Sequence, residues 1–374
     1  MALEMIKGNI AIAEAAMRAG LVSYFGYPIT PQTELLEHLS ARMPELGRAF
    51  VQAESELGAI NMVYGAACTG LRTMTSSSSP GVSLMQEGIS YISGTEVPAV
   101  IVDVVRGGPG LGNIAPSQSD YTQMVHGGGH GEYHLIVLAP ASVQEAVDLT
   151  GLAFDLAEKY RMVVCLMLDG SLGQMMEPVE LPEFQPMRTT PPAWAIGSPD
   201  SKERVVLTSI NIDPPNQEQF NVKMMTRWEE VVRNEPRYKD YYLDDAEYVV
   251  IGYGTAGRIA LSAVRAAREQ GHKIGLLRPI TLSPFPAKAV DELADRVKGF
   301  LVVEMSNGQM LDDVVSIAAR RVPVDFYGRM GGMVPYPDEI ANAINELVNG
   351  EHDVNIDGRA KWLAKMRETV GTGE

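Results

Sequence analysis

The chain has 374 residues, of which 45% are hydrophobic and 21% charged, enough for two or three globular domains and with no stretch that reads as disordered. Its formal net charge of -16 argues against a nucleic-acid partner, because phosphate-backbone binders need a basic surface that releases counterions. Charged residues break the apolar N-terminal stretch before a signal-peptide core can form, and no run reaches the roughly 20 apolar residues that span a membrane, so a cytoplasmic location without a membrane partner is expected.

Strands are predicted near Val22 to Phe25, Leu71 to Thr75, Ala99 to Val105, Leu135 to Leu138 and Met162 to Leu168. Helix-like segments lie between them, the pattern of a parallel sheet covered by helices on both faces. The segment Ser142 to Tyr160 has apolar residues at helical spacing behind a serine N-cap. From about residue 182 to 245 a polar stretch punctuated by Pro182, Pro186, Pro191, Pro192, Pro214 and Pro215 reads as an extended linker arm. A second βα unit then begins at Tyr248, with strands near Tyr248 to Ile251, Ile274 to Leu277, Phe300 to Val303 and Val324 to Phe326. Its last strong helix starts at Asp338. The expected division is therefore 1–181, an arm 182–245, a second α/β domain 246–350 and a tail 351–374.

Candidate chemistry sits at strand ends, where open α/β sheets gather ligands. Gly26-Tyr27-Pro28-Ile29-Thr30-Pro31 follows the first strand, though Thr30 as N-cap and Pro31 as first helical residue would explain it without function. Glu54 and Glu56 both stand at the entry of an apolar helix that continues to Cys68, where a first-turn carboxylate is also favoured by the helix dipole alone. Thr75-Ser76-Ser77-Ser78-Ser79-Pro80-Gly81 offers small residues that let a backbone approach a ligand, or simply a solvated loop. Arg106 opens the glycine-rich run Gly107-Gly108-Pro109-Gly110-Leu111-Gly112-Asn113. A guanidinium fork there matches a carboxylate, and a surface ion pair is the plainer alternative.

Other features carry less. Cys68 and Cys165 lie in apolar stretches and read as buried thiols, too few for an iron–sulfur cluster. His126, His130 and His134 have the four-residue spacing of a helical metal face, but Gly127, Gly128 and Gly129 argue against a helix, and no metal site is expected in this chain. Gly252-Tyr253-Gly254-Thr255-Ala256-Gly257 fits the dinucleotide fingerprint in spacing and context. The next strand ends in Arg278-Pro279, where the fingerprint wants an acid, which counts against a nicotinamide enzyme.

Taken together, Tyr27 to Pro31, Glu56-Leu57-Gly58-Ala59, the serine stretch and the Arg106 loop resemble the α subunit of 2-oxoacid:ferredoxin oxidoreductases in order and spacing. Gln52-Ala53-Glu54-Ser55-Glu56, Arg106 to Asn113 and Gly173-Gln174-Met175-Met176-Glu177-Pro178 resemble the branched-chain, 2-oxoisovalerate type. The resemblance implies a thiamine-diphosphate-binding fold with a pyrimidine-type domain, plus a transketolase-C-terminal-like α/β domain that packs and orients. It implies that Glu56 holds the pyrimidine ring nitrogen of thiamine diphosphate, with Glu54 as the alternative. Pro28, Ile29 and Ser79 are implied as further cofactor contacts, and Thr30 and Arg106 as holders of a small 2-oxo acid.

The resemblance also implies the reaction: a 2-oxo acid, coenzyme A and oxidised ferredoxin give acyl-coenzyme A, carbon dioxide and reduced ferredoxin. A magnesium site is usually a Gly-Asp-Gly with a later asparagine. Asp169-Gly170 lacks that context, so Mg2+, the diphosphate contacts and a [4Fe-4S] cluster are expected in a β subunit, alongside γ and ferredoxin-like δ subunits. Gly110 and Leu111, where relatives acting on 2-oxoglutarate are expected to carry hydroxyls, favour an apolar acyl group; pyruvate and 2-oxoglutarate stay open. A nicotinamide oxidoreductase and a non-catalytic scaffold subunit are the rival readings.

Overall fold

The computed structural model describes residues 3–318, 321–350, 354–355 and 357–371. The first half of the chain contributes β1 (Glu4–Lys7), β2 (Ser23–Gly26), β3 (Ala49–Gln52), β4 (Thr73–Ser77), β5 (Ala99–Val105), β6 (Ile136–Leu138), β7 (Val163–Asp169) and β8 (Met176–Val179). The second half contributes β9 (Tyr238–Tyr241), β10 (Tyr248–Ile251), β11 (Ile274–Pro279), β12 (Thr281–Ser283), β13 (Gly299–Glu304) and β14 (Val324–Gly328).

β5 and β7 are buried along their whole length, which is why they read as continuous apolar runs rather than as alternating ones. They are the centre of a sheet ordered β12-β6-β7-β5-β4-β2-β3, parallel except for β12. The helices Gly8–Arg18, Thr33–Glu45 and Val143–Tyr160 cover one face through Ile12, Leu35 and Phe154; Glu56–Ala67 and Ser79–Gly94 cover the other through Ile60 and Ile89. Ser142 caps its helix as expected, its hydroxyl accepting from Glu145 N at 3.2 Å. A second sheet runs β14-β13-β10-β11-β9, with only β9 antiparallel.

The structure departs from the sequence reading at several points. Thr30 is not a helix cap: the helix begins at Thr33, and a turn with a cis Thr30–Pro31 bond precedes it, closed by Gln32 N donating to Ile29 O at 3.1 Å. The arm is not wholly extended, since Pro214–Asn234 is a 21-residue helix that starts on a proline pair after Asp213. Only Val231 of it is buried, so it carries almost no apolar stripe to find. The helix expected from Asp338 is Pro337–Asn349, and a further one, Gly358–Val370, follows. Of the expected tail, residues 351–353, 356 and 372–374 lie outside the described residues. Finally, β12 comes from the second half of the chain yet edges the larger sheet through β6.

The fingerprint glycines are explained by packing. A Cβ on Gly257 would sit 2.3 Å from the Gly252 carbonyl oxygen, a backbone atom that cannot swing aside. Gly257→Ala is expected to destabilise the fold by about 1–3 kcal/mol, the usual cost of forcing extra volume into a packed site. A chemical-denaturation midpoint equal to the parent's would contradict this.

Candidate active site

The order β5-β4-β2-β3 puts four carboxyl-terminal strand ends side by side. From them emerge Arg106, Ser78 and Ser79, the turn Pro28 to Pro31, and the segment leading to Glu56. The four motifs that the sequence scatters over 80 residues thus share one edge of one sheet.

Glu56 is the first residue of the helix Glu56–Ala67 and only 5% exposed, with Ser55 capping that helix by accepting from Gly58 N at 3.1 Å. Its carboxylate lies against the bare Cα of Gly81: a Cβ there would be 2.1 Å from Ser77 Oγ and 2.5 Å from Glu56 Oε1. Among the described residues no protein group hydrogen-bonds the Glu56 carboxylate, and the buried hydroxyls of Thr75, Ser77 and Ser78 also lack partners. Buried polar groups are seldom left so. Glu54, the alternative, is exposed and folds over Gly58. The serine stretch is not a solvated loop, because Ser76, Ser77 and Ser78 are fully buried and Ser76 is held by Tyr24 and Gln32.

Arg106 is also buried, and its donors go to backbone carbonyls rather than to a surface acid. Nη1 donates to Thr30 O and Nη2 to Leu111 O, each at 2.9 Å, while Nε has no partner among the described residues. The structure therefore brings Arg106 to the Thr30 backbone carbonyl, with Thr30 itself exposed and the guanidinium left with donors to spare. Ser79 joins them: its hydroxyl accepts from Arg106 N at 3.0 Å and meets Asp120 Oδ2 at 2.5 Å. Pro28 is exposed and Ile29 half-buried in the turn leading to Thr30. A cleft of about 600 Å³ opens beside Ser79 and Arg106, walled by these and Asp120 on one side and by Met305, Met330 and Gln309, the first residue of the helix Gln309–Ala318, on the other. Gln118 ties the two walls, its N–H donating to Met305 O at 2.9 Å and its side chain to Tyr253 O at 3.0 Å.

Two acids in this region escaped the sequence reading. Asp103 is fully buried inside β5, and Asp120 is 6% exposed in the cleft wall. A lone carboxylate within the run Ala-Val-Ile-Val-Asp-Val-Val was the available signal, since charge in a doubly covered strand needs a reason.

The competing motifs find other partners. The N-terminus of the helix Gly254–Glu269 faces Gln118 and the Asp169 carboxylate, so protein occupies the place a pyrophosphate would take. Arg278 is buried and paired with Glu145 at 2.6 Å. His134 stacks on Trp228 with ring centroids 4.5 Å apart, and His126 lies 3.3 Å from Asp313. Cys68 and Cys165 are free and buried. No described helix is long and apolar enough to cross a membrane.

Residues 14–239 match the family described as pyruvate flavodoxin/ferredoxin oxidoreductase, thiamine diphosphate-binding, and residues 246–340 match the pyruvate:ferredoxin oxidoreductase core domain II. Ketoisovalerate oxidoreductase subunit VorB of Methanothermobacter thermautotrophicus is 50% identical, over 94% of this chain and 100% of its own. The 2-oxoglutarate synthase subunit KorA of the same organism is 38% identical, over 91% of this chain and 98% of its own. The solved 2-oxoglutarate:ferredoxin oxidoreductase from Magnetococcus marinus, with 2-oxoglutarate, coenzyme A and succinyl-CoA bound, superposes with a TM-score of 0.84 at 26% identity, covering 93% of this chain and 65% of that one. The chain belongs to the pyruvate flavodoxin/ferredoxin oxidoreductase family, as a 2-oxoacid:ferredoxin oxidoreductase subunit with a thiamine-diphosphate-binding fold.

Proposed function

We propose that this subunit orients the aminopyrimidine of thiamine diphosphate and grips the carboxylate of a branched-chain 2-oxo acid, 2-oxoisovalerate, in a coenzyme-A-dependent, ferredoxin-reducing decarboxylase. The observation that carries this reading is Glu56, only 5% exposed, whose carboxylate no described protein group hydrogen-bonds, in a cradle that a single Cβ at Gly81 would fill. The cofactor, when bound, supplies the electron sink that loss of carbon dioxide from a 2-oxo acid requires. Glu56 would hold a proton at the pyrimidine ring nitrogen, with Pro28, Ile29 and Ser79 shaping the contact around it. Arg106 and Thr30 would hold the acid's carboxylate, because a buried fork with unused donors is matched to that group.

The substrate class rests on two supports. The relative named for ketoisovalerate is 50% identical, against 38% for one named for 2-oxoglutarate. Gly110 and Leu111 after the arginine add no side-chain donor for a second carboxylate. Residues 1–181 would form the pyrimidine-binding domain, 182–245 the arm, and 246–350 a packing domain that closes the cleft. Diphosphate, Mg2+ and a [4Fe-4S] cluster fall to a β subunit in this reading, since Asp169 is already spent on Ser171 N at 2.9 Å and Leu172 N at 3.4 Å. Small γ and ferredoxin-like δ subunits and a cytoplasmic setting complete it.

The test is viologen or ferredoxin reduction by the complex co-purified with its partners, supplied with thiamine diphosphate and coenzyme A. Preferential turnover of 2-oxoisovalerate over pyruvate and 2-oxoglutarate is expected. Activity with only another acid would discard the substrate, and inactivity with all three would favour a scaffold role.

A further inference from the structure

Near the arginine lies a pair of carboxyl side chains that substrate binding, as proposed above, does not use. Asp103 in β5 and Asp120, which precedes the short helix Tyr121–Val125, sit carboxyl to carboxyl. Both Asp103 oxygens are buried, and among the described residues no protein N–H or O–H group hydrogen-bonds either of them. Burial pushes the Asp103 carboxyl well above the usual range, and Asp120 follows in the same direction for the same reason. Two carboxylates in contact cannot both ionise in a dry setting, so the pair shares a proton. Asp103 is the deeper of the two, so burial favours its neutral form more strongly.

Asp120 then has a fixed direction. It takes the Ser79 hydroxyl at 2.5 Å, and that hydroxyl touches both backbone polar groups of Arg106, the N–H at 3.0 Å and the carbonyl at 3.3 Å. Ser79 has φ +21, at the edge of a region that L-residues rarely adopt, a conformation that persists where surrounding bonds over-determine it.

We propose that Asp120, seated on Asp103, is a positioning residue for the arginine: it locks Ser79, Ser79 clamps the Arg106 backbone, and the guanidinium is thereby aimed at the carboxylate of the 2-oxo acid. The inference rests on the role proposed above for Arg106 and adds the device that aims it. An isosteric amide at position 103 can still donate to Asp120, whereas an apolar side chain cannot, and this separates a hydrogen-bonded support from mere filling of space.

The experiment uses the assembled complex carrying Asp120→Ala, Asp103→Asn or Asp103→Leu. Steady-state kinetics are combined with calorimetric titration of 2-oxoisovalerate into cofactor-free complex. Asp120→Ala and Asp103→Leu are expected to raise both KM and the dissociation constant about tenfold, with kcat at saturation changed less than about threefold. Asp103→Asn should stay within about twofold of the parent in all three. The inference is overturned if Asp103→Asn is as damaging as Asp103→Leu, or if Asp120→Ala leaves KM and affinity unchanged or lowers kcat alone. A parent complex that neither binds nor turns over a 2-oxo acid overturns the reading of Arg106 and this inference with it; a working parent with silent aspartate variants overturns this inference only.

Discussion

Glu56→Gln is expected to lower 2-oxo-acid-dependent viologen reduction by about a thousandfold, within the range that one positioned proton-transfer group contributes. The amide has the size and shape of the carboxyl it replaces. The helix Glu56–Ala67 keeps its Ser55 cap, and no donor among the described residues loses an acceptor, because none of them bonds to the carboxylate. What disappears is the anionic acceptor that would hold a proton on the pyrimidine ring. Assembly and melting temperature should therefore match the parent while turnover collapses. Glu54→Gln is the internal control: Glu54 is exposed, and its replacement should leave the rate within about twofold, as surface changes away from a site usually do. A Glu56→Gln complex with near-parental turnover would remove Glu56 from the chemistry, and a collapse in Glu54→Gln alone would transfer the role to Glu54.

The parts of this site that the sequence revealed are those in which one short segment contains its own explanation. Runs such as Ala99 to Val105 and Met162 to Leu168 announce doubly covered strands, and Ser142 announces its helix, because burial and capping are local pressures. The motifs at Thr30, Glu56, Ser79 and Arg106 were legible one by one as strand-end segments. Their convergence depends on the order β5-β4-β2-β3, a non-local property. Where tertiary contact sets the outcome, local rules misled. Thr30 looked like a cap, yet the buried Pro31 and Gln32 pull the chain into a turn ahead of the helix. The wet-loop alternative for the serines from Ser76 to Ser78 came from their polar composition, whereas β4 and the helix after it enclose them. The helix Pro214–Asn234 was hidden by a face with hardly any buried residue, and it is tied down partly through charge, Lys223 meeting Glu96 at 2.6 Å. Asp103 and Asp120 show the same limit most sharply: 17 positions separate them, and only the packing of the cleft loop onto β5 makes them a pair.

Arg106→Lys, which keeps the charge, is expected to reduce kcat/KM for the 2-oxo acid by about a hundredfold, mostly through KM. A guanidinium spends one nitrogen on Thr30 O and another on Leu111 O and still has donors left. An ammonium has three donors on one atom and cannot span two carbonyls while presenting a fork to a carboxylate. Losing one of these part-buried carbonyl bonds and one bond to the substrate costs about 2–3 kcal/mol, which corresponds to that factor in affinity. Arg106→Ala removes the charge as well and should be worse by about another order of magnitude. Exogenous guanidinium should restore part of its activity, because the backbone clamp through Ser79 holds the strand end without the side chain. An Arg106→Lys complex with an unchanged KM would show that the fork is not what the acid meets. A fall in kcat alone would instead place Arg106 in a step after binding, and the anion's partner would then have to be sought elsewhere along the same cleft.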